Sequence, residues 1–338
     1  MATTSHAPQP TPERFFNALN AYQQTEAIKA AIKLDIFTAI GEGRTTAAAI
    51  AERCKAAERG VRILCDYLTI HGFLSKANGK YALAADTALF LDKRSPAYLG
   101  SVADFLTGDA QVEGHRRMAD AVRKGGTAKP EAPFQPDDPM WVLFAHAMKP
   151  MMMMPAQGMA QELAKGGKAK KVLDIAAGHG VFGIVVAQHN PEAQIYAVDW
   201  PKVLEVAAQN AKAMGVAARH HLLPGSAFDV EFGDGYDLVL ITNFLHHFDV
   251  PTNVKFLKKC HRAMAPGGRA AILEFVPNPD RVTPPTAAAF SLIMLAGTPA
   301  GDAFTFDEIK KMCLDAGFAR VEMSPAMVGV ENLVVVHK

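Results

Sequence analysis

The sequence predicts an α/β fold, with a doubly wound, mostly parallel sheet in the C-terminal half and a mainly helical domain before it. From Lys170 onward, short apolar strands alternate with amphipathic helices, the order typical of a parallel sheet covered by helices on both faces. Before residue 100, apolar residues follow helical spacing and are succeeded by a short hairpin signal. The Gly- and Pro-rich stretch KGGTAKPEAPFQPDDP separates the two patterns.

Composition sets broad limits on function. The chain has 338 residues, 49% of them hydrophobic and 20% charged, which is enough for two domains with their own cores. Its formal net charge of +1 argues against nucleic acid or an anionic membrane as a general partner. No apolar run approaches the roughly 20 residues that cross a bilayer, and the first residues lack a signal-peptide pattern. We therefore expect a cytoplasmic protein.

The four cysteines are scattered along the chain, with no C-x-x-C pair among Cys54, Cys65, Cys260 and Cys313. This pattern indicates buried thiols in a reducing compartment, and neither a disulfide framework nor a zinc site. We expect no metal in this protein.

The first domain is predicted at residues 1–100. A helical pattern covers residues 12–40, Thr45-Thr46 precedes a second helix as a candidate N-cap, and a third helix includes ERGVRILCDYLTIHGF. LSKANGKYAL then alternates around Asn78-Gly79, which is typical of a tight hairpin. Three helices and a small hairpin are the order of a winged helix. Helical segments and a linker are predicted at 101–140.

A winged helix raises the possibility of a DNA-binding regulator. However, the candidate reading helix mixes Arg59 and Arg62 with Glu58 and Asp66, and much of it is apolar. A helix that reads DNA normally presents a basic face with polar residues that contact bases. The sequence therefore favours a packing and dimerisation domain.

The second domain is predicted at residues 141–338. It opens with a helix, WVLFAHAMKPMMMMPAQGMAQELA, that we expect to be kinked or broken at Pro150 and Pro155. The predicted strands of the sheet are KVLDIA, QIYAVD, DLVLIT, RAAILEFV, ARVEMSPA and ENLVVVHK, and the helices between them include VFGIVVAQH, PKVLEVAAQNAKAM and NVKFLKKCHRAM.

A glycine-rich turn indicates a nucleotide-like ligand. GHGVFG, from Gly178 to Gly183, follows a strand, opens a helix and matches G-x-G-x-x-G, with Asp199 at the end of the next strand. Asp174, inside the preceding strand, would repel a pyrophosphate but attract a sulfonium and an amino group. The pattern therefore favours S-adenosylmethionine over a nicotinamide cofactor, which stays the alternative.

Five segments in order, LDIAAGHG, AVDW, GSAF, LITNFLHHF and APGGRAAILEF, resemble the motifs of class I S-adenosylmethionine-dependent methyltransferases, whose last strand is reversed. With the N-terminal half, the chain resembles the small-molecule O-methyltransferases of plant phenolic and bacterial polyketide metabolism. The resemblance implies a homodimer, in which Phe15 and Phe16 are candidates for reaching the partner's substrate pocket. The cofactor residues predicted from these motifs are Asp174, Gly178, Gly180, Asp199, Trp200, Ser226, Ala227, Phe228 and Asn243.

This chain departs from the family's pattern at two cofactor positions. The family often has Asp-Met where Ser226-Ala227 stand, and Lys where Thr242 stands. The acceptor site implied by the resemblance lies along the methionine-rich helix, because methionine suits pockets for flat apolar ligands. Its predicted residues are Phe144, Met148, Met152, His247 and Met294.

Two adjacent histidines follow the strand DLVLIT, at the sheet edge where ligands of such folds bind. The family carries His-Asp-Trp here, so the resemblance makes His246 the general base and puts His247 at the Asp position. Glu274 matches the acid that contacts the base, while a second family acid falls at Ala303, with Asp302 beside it but out of register. Histidine is a suitable base, since its pKa is about 6.5 and that of a phenol is about 10.

The sequence thus predicts a metal-independent O-methyltransferase that acts on a small aromatic or polyketide-like molecule and yields S-adenosylhomocysteine. Histidine in place of Asp at residue 247 leaves open C-methylation, N-methylation, or a related enzyme that keeps the cofactor without methylating.

Overall fold

A computed structural model describes residues 10–129, 138–328 and 330–338. Half of the predicted Gly- and Pro-rich linker, residues 130–137, lies outside this range. The chain divides into two compact units, Met1–Ala103 and Asp104–Lys338.

The first unit consists of five helices and one hairpin within its described part: α1 (Glu13–Lys33), α2 (Ile36–Gly41), α3 (Ala47–Cys54), α4 (Glu58–Ile70), β1 (Leu74–Ala77), β2 (Lys80–Leu83) and α5 (Ala85–Phe90). The helix predicted over residues 12–40 is in fact two, because Asp35 has a left-handed φ of 60° that ends the first one. The predicted cap and hairpin are confirmed. Thr46 Oγ1 accepts the Ala49 N–H, and Asn78-Gly79 joins the antiparallel strands β1 and β2. The winged-helix designation stays a prediction.

A compact core holds this unit together, with Phe37, Leu68 and Tyr81 almost fully buried. By contrast, α1 carries four large apolar side chains that are more than half exposed: Phe15, Phe16, Leu19 and Tyr22. A contiguous apolar face of this kind is typical of a protein–protein contact.

The second unit contains the sheet. Its elements are α6 (Val102–Leu106), α7 (Asp109–Arg116), α8 (Met118–Lys124), α9 (Pro139–Lys165), β3 (Lys171–Ile175), α10 (Val181–His189), β4 (Gln194–Asp199), α11 (Pro201–Ala213), β5 (His220–Pro224), β6 (Tyr236–Thr242), α12 (Val250–Ala263), β7 (Met264–Glu274), α13 (Pro285–Gly297), α14 (Phe306–Asp315), β8 (Arg320–Val328) and β9 (Glu331–His337).

Seven strands form one sheet in the order β5-β4-β3-β6-β7-β9-β8. Strands β3 to β7 pair in parallel, whereas β9 runs antiparallel to both β7 and β8. This confirms the predicted α/β class with its reversed C-terminal strand. Because the strand order reverses beside β3, the turns after β3, β4, β6 and β7 meet at one edge of the sheet, where ligands of doubly wound folds bind.

Helix α9 excludes one of the two outcomes predicted for its prolines, a break. It runs continuously from Pro139 to Lys165, although it contains Pro150 and Pro155. Each proline removes one N–H donor, but the helix is packed along α10 and α11, and that burial compensates for the loss. No element was predicted at α13, since its residues are apolar on nearly every side and show no amphipathic period.

Candidate active site

The turn between β3 and α10 is shaped by glycines at the sheet edge. Gly178 and Gly180 have left-handed φ angles of 56° and 73°, which glycine adopts without strain. A Cβ at Gly183 would lie 2.6 Å from Asp174 Oδ2 and 2.7 Å from Ile195 Cγ2. The helix can therefore approach the strands closely only with glycine at residue 183.

Asp199 ends β4 and closes this turn. Its Oδ2 accepts the Gly178 N–H at 2.8 Å, and its Oδ1 accepts the Trp200 N–H at 2.7 Å. Burial raises the pKa of this carboxyl to about 6, against the lowering effect of the two hydrogen bonds. The carboxyl is thus fixed at the edge with lone pairs left for sugar hydroxyls.

Asp174 lies deeper, inside β3. Its Oδ2 accepts the Gly183 N–H at 3.1 Å, while Oδ1 is buried and has no hydrogen-bond partner among the residues of known position. Burial raises the pKa of this carboxyl to about 7. A buried acid with an unsatisfied oxygen suits a cationic ligand and would repel a phosphate, so the residues present fit S-adenosylmethionine.

The turn after β5 forms an apolar wall at the same edge. Phe228 donates its N–H to Ser226 Oγ, and Lys259 Nζ donates to the carbonyls of Ala227 and Phe228 at 3.1 and 2.8 Å. The Phe228 ring lies among the rings of Phe244, Phe248 and Phe256, with centroids 4.9–6.0 Å away. Trp200, which follows Asp199 in the chain, packs against the buried cluster of Ala145, Val203 and Val206.

His246 and Glu274 form a buried pair at the ends of β6 and β7. Glu274 Oε2 lies 2.6 Å from His246 Nδ1, and both side chains are almost inaccessible. Glu274 Oε1 accepts the N–H groups of Phe244 and Leu245 at 3.0 and 2.8 Å. A carboxyl group with this many hydrogen-bond partners is held in one position and fixes the orientation of the imidazole.

The turn that carries His246, a short 3₁₀ helix at Leu245–His247, is held from below by a residue that the sequence did not indicate. Asn253 on α12 is fully buried and donates through Nδ2 to the carbonyls of Leu245 and Phe248. Its only sequence signal is an Asn in the first turn of a helix, which is also typical of an ordinary cap.

His247 is neutral in this environment. Burial lowers its pKa well below the usual range, and the neighbouring His246, whose ring centroid is 4.3 Å away, adds to the effect. On the other side, the His246 ring meets the edge of Phe290 on α13, which is stacked at 4.0 Å on Phe275. Neither phenylalanine was singled out from the sequence, because an apolar residue there is also expected in the core.

The methionine run divides between two environments. Met148 and Met152, four residues apart, are buried on one face of α9, whereas Met154 is 74% exposed. Met152 Sδ lies 4.0 Å from Asn243 Nδ2, which puts this face beside the turn that leads to His246. Phe144 is half-buried and meets Phe105 edge to face at 5.1 Å, and Met294 is buried on α13.

Two acids besides Glu274 are candidates for a link to His246. Asp302, beside the position of the second family acid, pairs with Arg281 at 3.1 Å at a half-exposed position, and Ala303 next to it is fully buried. A different acid, Glu331 at the start of β9, is 1% exposed and close enough to Glu274 to be influenced by its charge.

Metal-binding clusters and membrane-spanning helices are both absent from the described residues. In the described part of the chain, no three His, Cys, Asp or Glu residues are grouped so that they could hold a metal ion. Among those same residues, no helix is both long enough and apolar enough to span a membrane.

Comparison with known proteins decides the family. Residues 134–319 match the O-methyltransferase domain, and residues 16–93 match the O-methyltransferase dimerisation domain. The chain belongs to the O-methyltransferase family. It is therefore an S-adenosylmethionine-dependent methyltransferase.

Individual relatives agree with this assignment. The O-methyltransferase is 28% identical to a 3-hydroxy-5-methyl-1-naphthoate 3-O-methyltransferase of Streptomyces sahachiroi, over 91% of this chain and 90% of that one. A crystal structure of a candidate O-methyltransferase from Nostoc punctiforme is 49% identical and has a TM-score of 0.95, covering 98% of this chain and 100% of that one. Human N-acetylserotonin methyltransferase in complex with S-adenosylmethionine shares the fold at 19% identity and a TM-score of 0.85, over 100% and 99% of the two chains.

Proposed function

We propose that this enzyme methylates a hydroxyl group of a small aromatic or polyketide-like molecule, with His246 as the general base and Glu274 as its partner. The observation that carries the proposal is the 2.6 Å contact between His246 Nδ1 and Glu274 Oε2 at the buried sheet edge. This contact puts the proton of the neutral imidazole on Nδ1 and leaves the Nε2 lone pair free to accept a proton.

The pair performs the acid–base part of the reaction. His246 Nε2 takes the proton of the acceptor hydroxyl, which is needed because a phenol is almost entirely protonated at neutral pH. Glu274 holds the ring in one orientation and stabilises the imidazolium that results. Since Glu274 is itself fixed by two backbone N–H groups, the ring is held ready before the acceptor binds.

The turns after β3, β4 and β5 would hold the methyl donor. S-adenosylmethionine bound there supplies an electrophilic methyl group. Asp174 and the turn containing Gly178 and Gly180 would hold its methionine portion, Asp199 would accept hydrogen bonds from the ribose hydroxyls, and Trp200 would flank them. Ser226, Ala227 and Phe228 would form the wall for the adenine, and Asn243, which contacts Met152, would complete the cofactor site.

The acceptor is proposed to be apolar and flat. Phe144, Met148, Met152 and Met294 supply flexible or aromatic apolar surface near the base, and His247 stays neutral beside it. The Streptomyces relative is named for a hydroxynaphthoate, which belongs to the same chemical class. A homodimer is supported by the dimerisation-domain match and by the exposed apolar face of α1.

The decisive experiment measures transfer of labelled methyl from S-adenosylmethionine to a panel of phenols, amines and carbon acids. Transfer to phenol oxygens is the expected outcome. Transfer to nitrogen or carbon alone would contradict O-methylation, and failure of S-adenosylhomocysteine to bind in calorimetry would contradict the cofactor site.

A further inference from the structure

Glu331 is a buried acid that has no role in the reaction proposed above. It is the first residue of β9, next to Asn332, which pairs with Glu274 across the antiparallel β7–β9 ladder. Its side chain is 1% exposed, and its Oε1 has no hydrogen-bond partner in the described part of the protein. Burying a carboxyl in this way is costly unless it is paired or neutral.

The neighbours of Glu331 favour its neutral form. The adjacent carboxyl, Glu274, accepts the backbone N–H groups of Phe244 and Leu245 and faces His246 Nδ1. Glu331 has one partner, the side chain of Asn243. Two carboxylates so close together cannot both ionise readily, and the one with fewer donors keeps its proton. In agreement, burial and then the charge of Glu274 raise the pKa of Glu331 to about 7.

Asn243 connects Glu331 to the catalytic turn. It has a left-handed φ of 53°, and its backbone N–H donates to the Leu273 carbonyl at 2.9 Å. This residue turns the chain from β6 into the 3₁₀ helix that carries His246. Asparagine adopts this conformation more readily than other residues with a Cβ because its short polar side chain finds nearby hydrogen bonds, so a contact that holds the Asn243 side chain also stabilises the turn.

We propose that Glu331 is a positioning residue of the methyl-transfer site: a neutral carboxylic acid that holds the side chain of Asn243 and, through it, the turn that carries His246. The proposal rests on the proposed role of His246 and Glu274. Among the described residues, the titratable group that acts on Glu331 is Glu274 from β7, which in turn contacts His246 from the turn after β6. The residue opposite Glu331 on β8 is Val328, which does not titrate.

A matched pair of variants separates positioning from simple filling of space. Glu331→Gln keeps the hydrogen-bonding ability of the neutral acid, whereas Glu331→Met keeps its length without hydrogen bonds. We expect kcat at pH 6.5 to fall at most about twofold in E331Q and about tenfold in E331M, because small displacements of a base are costly. Glu322→Met, at an exposed glutamate of β8, is the control and should leave kcat unchanged.

The pH profile and a spectroscopic signal complete the test. In wild type, kcat should decline as pH rises through about 7, when Glu331 ionises beside Glu274, and E331Q should lose this decline. In the complex of the full chain with S-adenosylhomocysteine, ¹³C NMR of labelled glutamate carboxyls should show one carboxyl that titrates near neutral pH and is absent in E331Q.

Equal kcat values for E331Q and E331M would overturn the positioning role. A Glu331 carboxyl that is already ionised at pH 5.5 would contradict the proposal that Glu331 is a neutral acid. The NMR measurement needs no methyl acceptor, so its failure is distinguishable from a wrong assignment of the reaction.

Discussion

The two halves of the site are built differently. On the cofactor side, Asp174 accepts a single backbone N–H group, and its other oxygen is buried without a hydrogen-bond partner in the described structure. On the acceptor side, Glu274 has donors on both oxygens and already faces His246. The cofactor side is therefore completed by its ligand, whereas the base and its partner are arranged in advance. The following predictions test this difference.

The largest effect is expected on the acceptor side. His246→Ala should lower kcat about 100-fold or more at neutral pH, because a positioned base contributes 10²–10⁴-fold to such a step. Glu274→Gln should lower kcat by a smaller factor, since the imidazolium loses its charged partner. Binding of S-adenosylhomocysteine, measured by calorimetry, should stay near wild type in His246→Ala.

The exposed His115→Ala is a suitable control for the histidine change. If His246→Ala transfers methyl groups at nearly the wild-type rate with cofactor binding intact, the base assignment is wrong.

The next effect concerns the cofactor side. Asp174→Asn removes the charge that would face the cofactor's cationic groups, and a hydrogen bond or pair involving a charged group is worth about 1.5–3 kcal/mol. We therefore expect the Kd for S-adenosylmethionine to rise about 10- to 100-fold, with Asp302→Asn as the control. Unchanged affinity in Asp174→Asn would show that this carboxyl does not face the ligand.

Proton release on binding provides a third test. The pKa of Asp174 is about 7 without ligand, so part of the population is protonated at pH 6.5. A bound cation favours the ionised form and lowers this pKa, so binding should release protons at pH 6.5 and nearly none at pH 8.5. Calorimetry in buffers of different ionisation enthalpy measures this quantity. Proton uptake at pH 6.5 would contradict the predicted direction, and Asp174→Asn should reduce the release.

The smallest effect lies in the backbone of the glycine turn. Ala176 has a left-handed φ of 47°, which is unfavourable for a residue with a Cβ. Ala176→Gly should therefore raise the free energy of unfolding by about 0.5–1 kcal/mol, measured by chemical denaturation. Its neighbour Ala177, which lacks a positive φ, is the matched control, and glycine there should destabilise the protein. Equal effects at both positions would contradict a strained turn.

Sequence patterns were sufficient for the fold class and for the local chemistry of the site. Alternating strands and helices predicted the parallel sheet, and the Asn78-Gly79 pair predicted the hairpin, because both depend on short-range periodicity and turn geometry. The glycine turn and Asp199 were identified in the same way. Pairing His246 with Glu274 required the family resemblance, because 28 residues separate them in the chain.

The tertiary structure decided the features that depend on packing between distant segments. Helix α9 continues through two prolines because neighbouring helices stabilise it. Within its methionine run, Met148 and Met152 are the buried residues, and they lie on one face of the helix. Asp302 is adjacent in sequence to the expected position of the second acid, yet it pairs with Arg281. Glu331 lies 57 residues beyond Glu274 in the numbering and reaches it because β9 folds back antiparallel to β7. The sequence by itself determined which groups are present, and strand order and burial determined which of them lie close to His246 and Glu274.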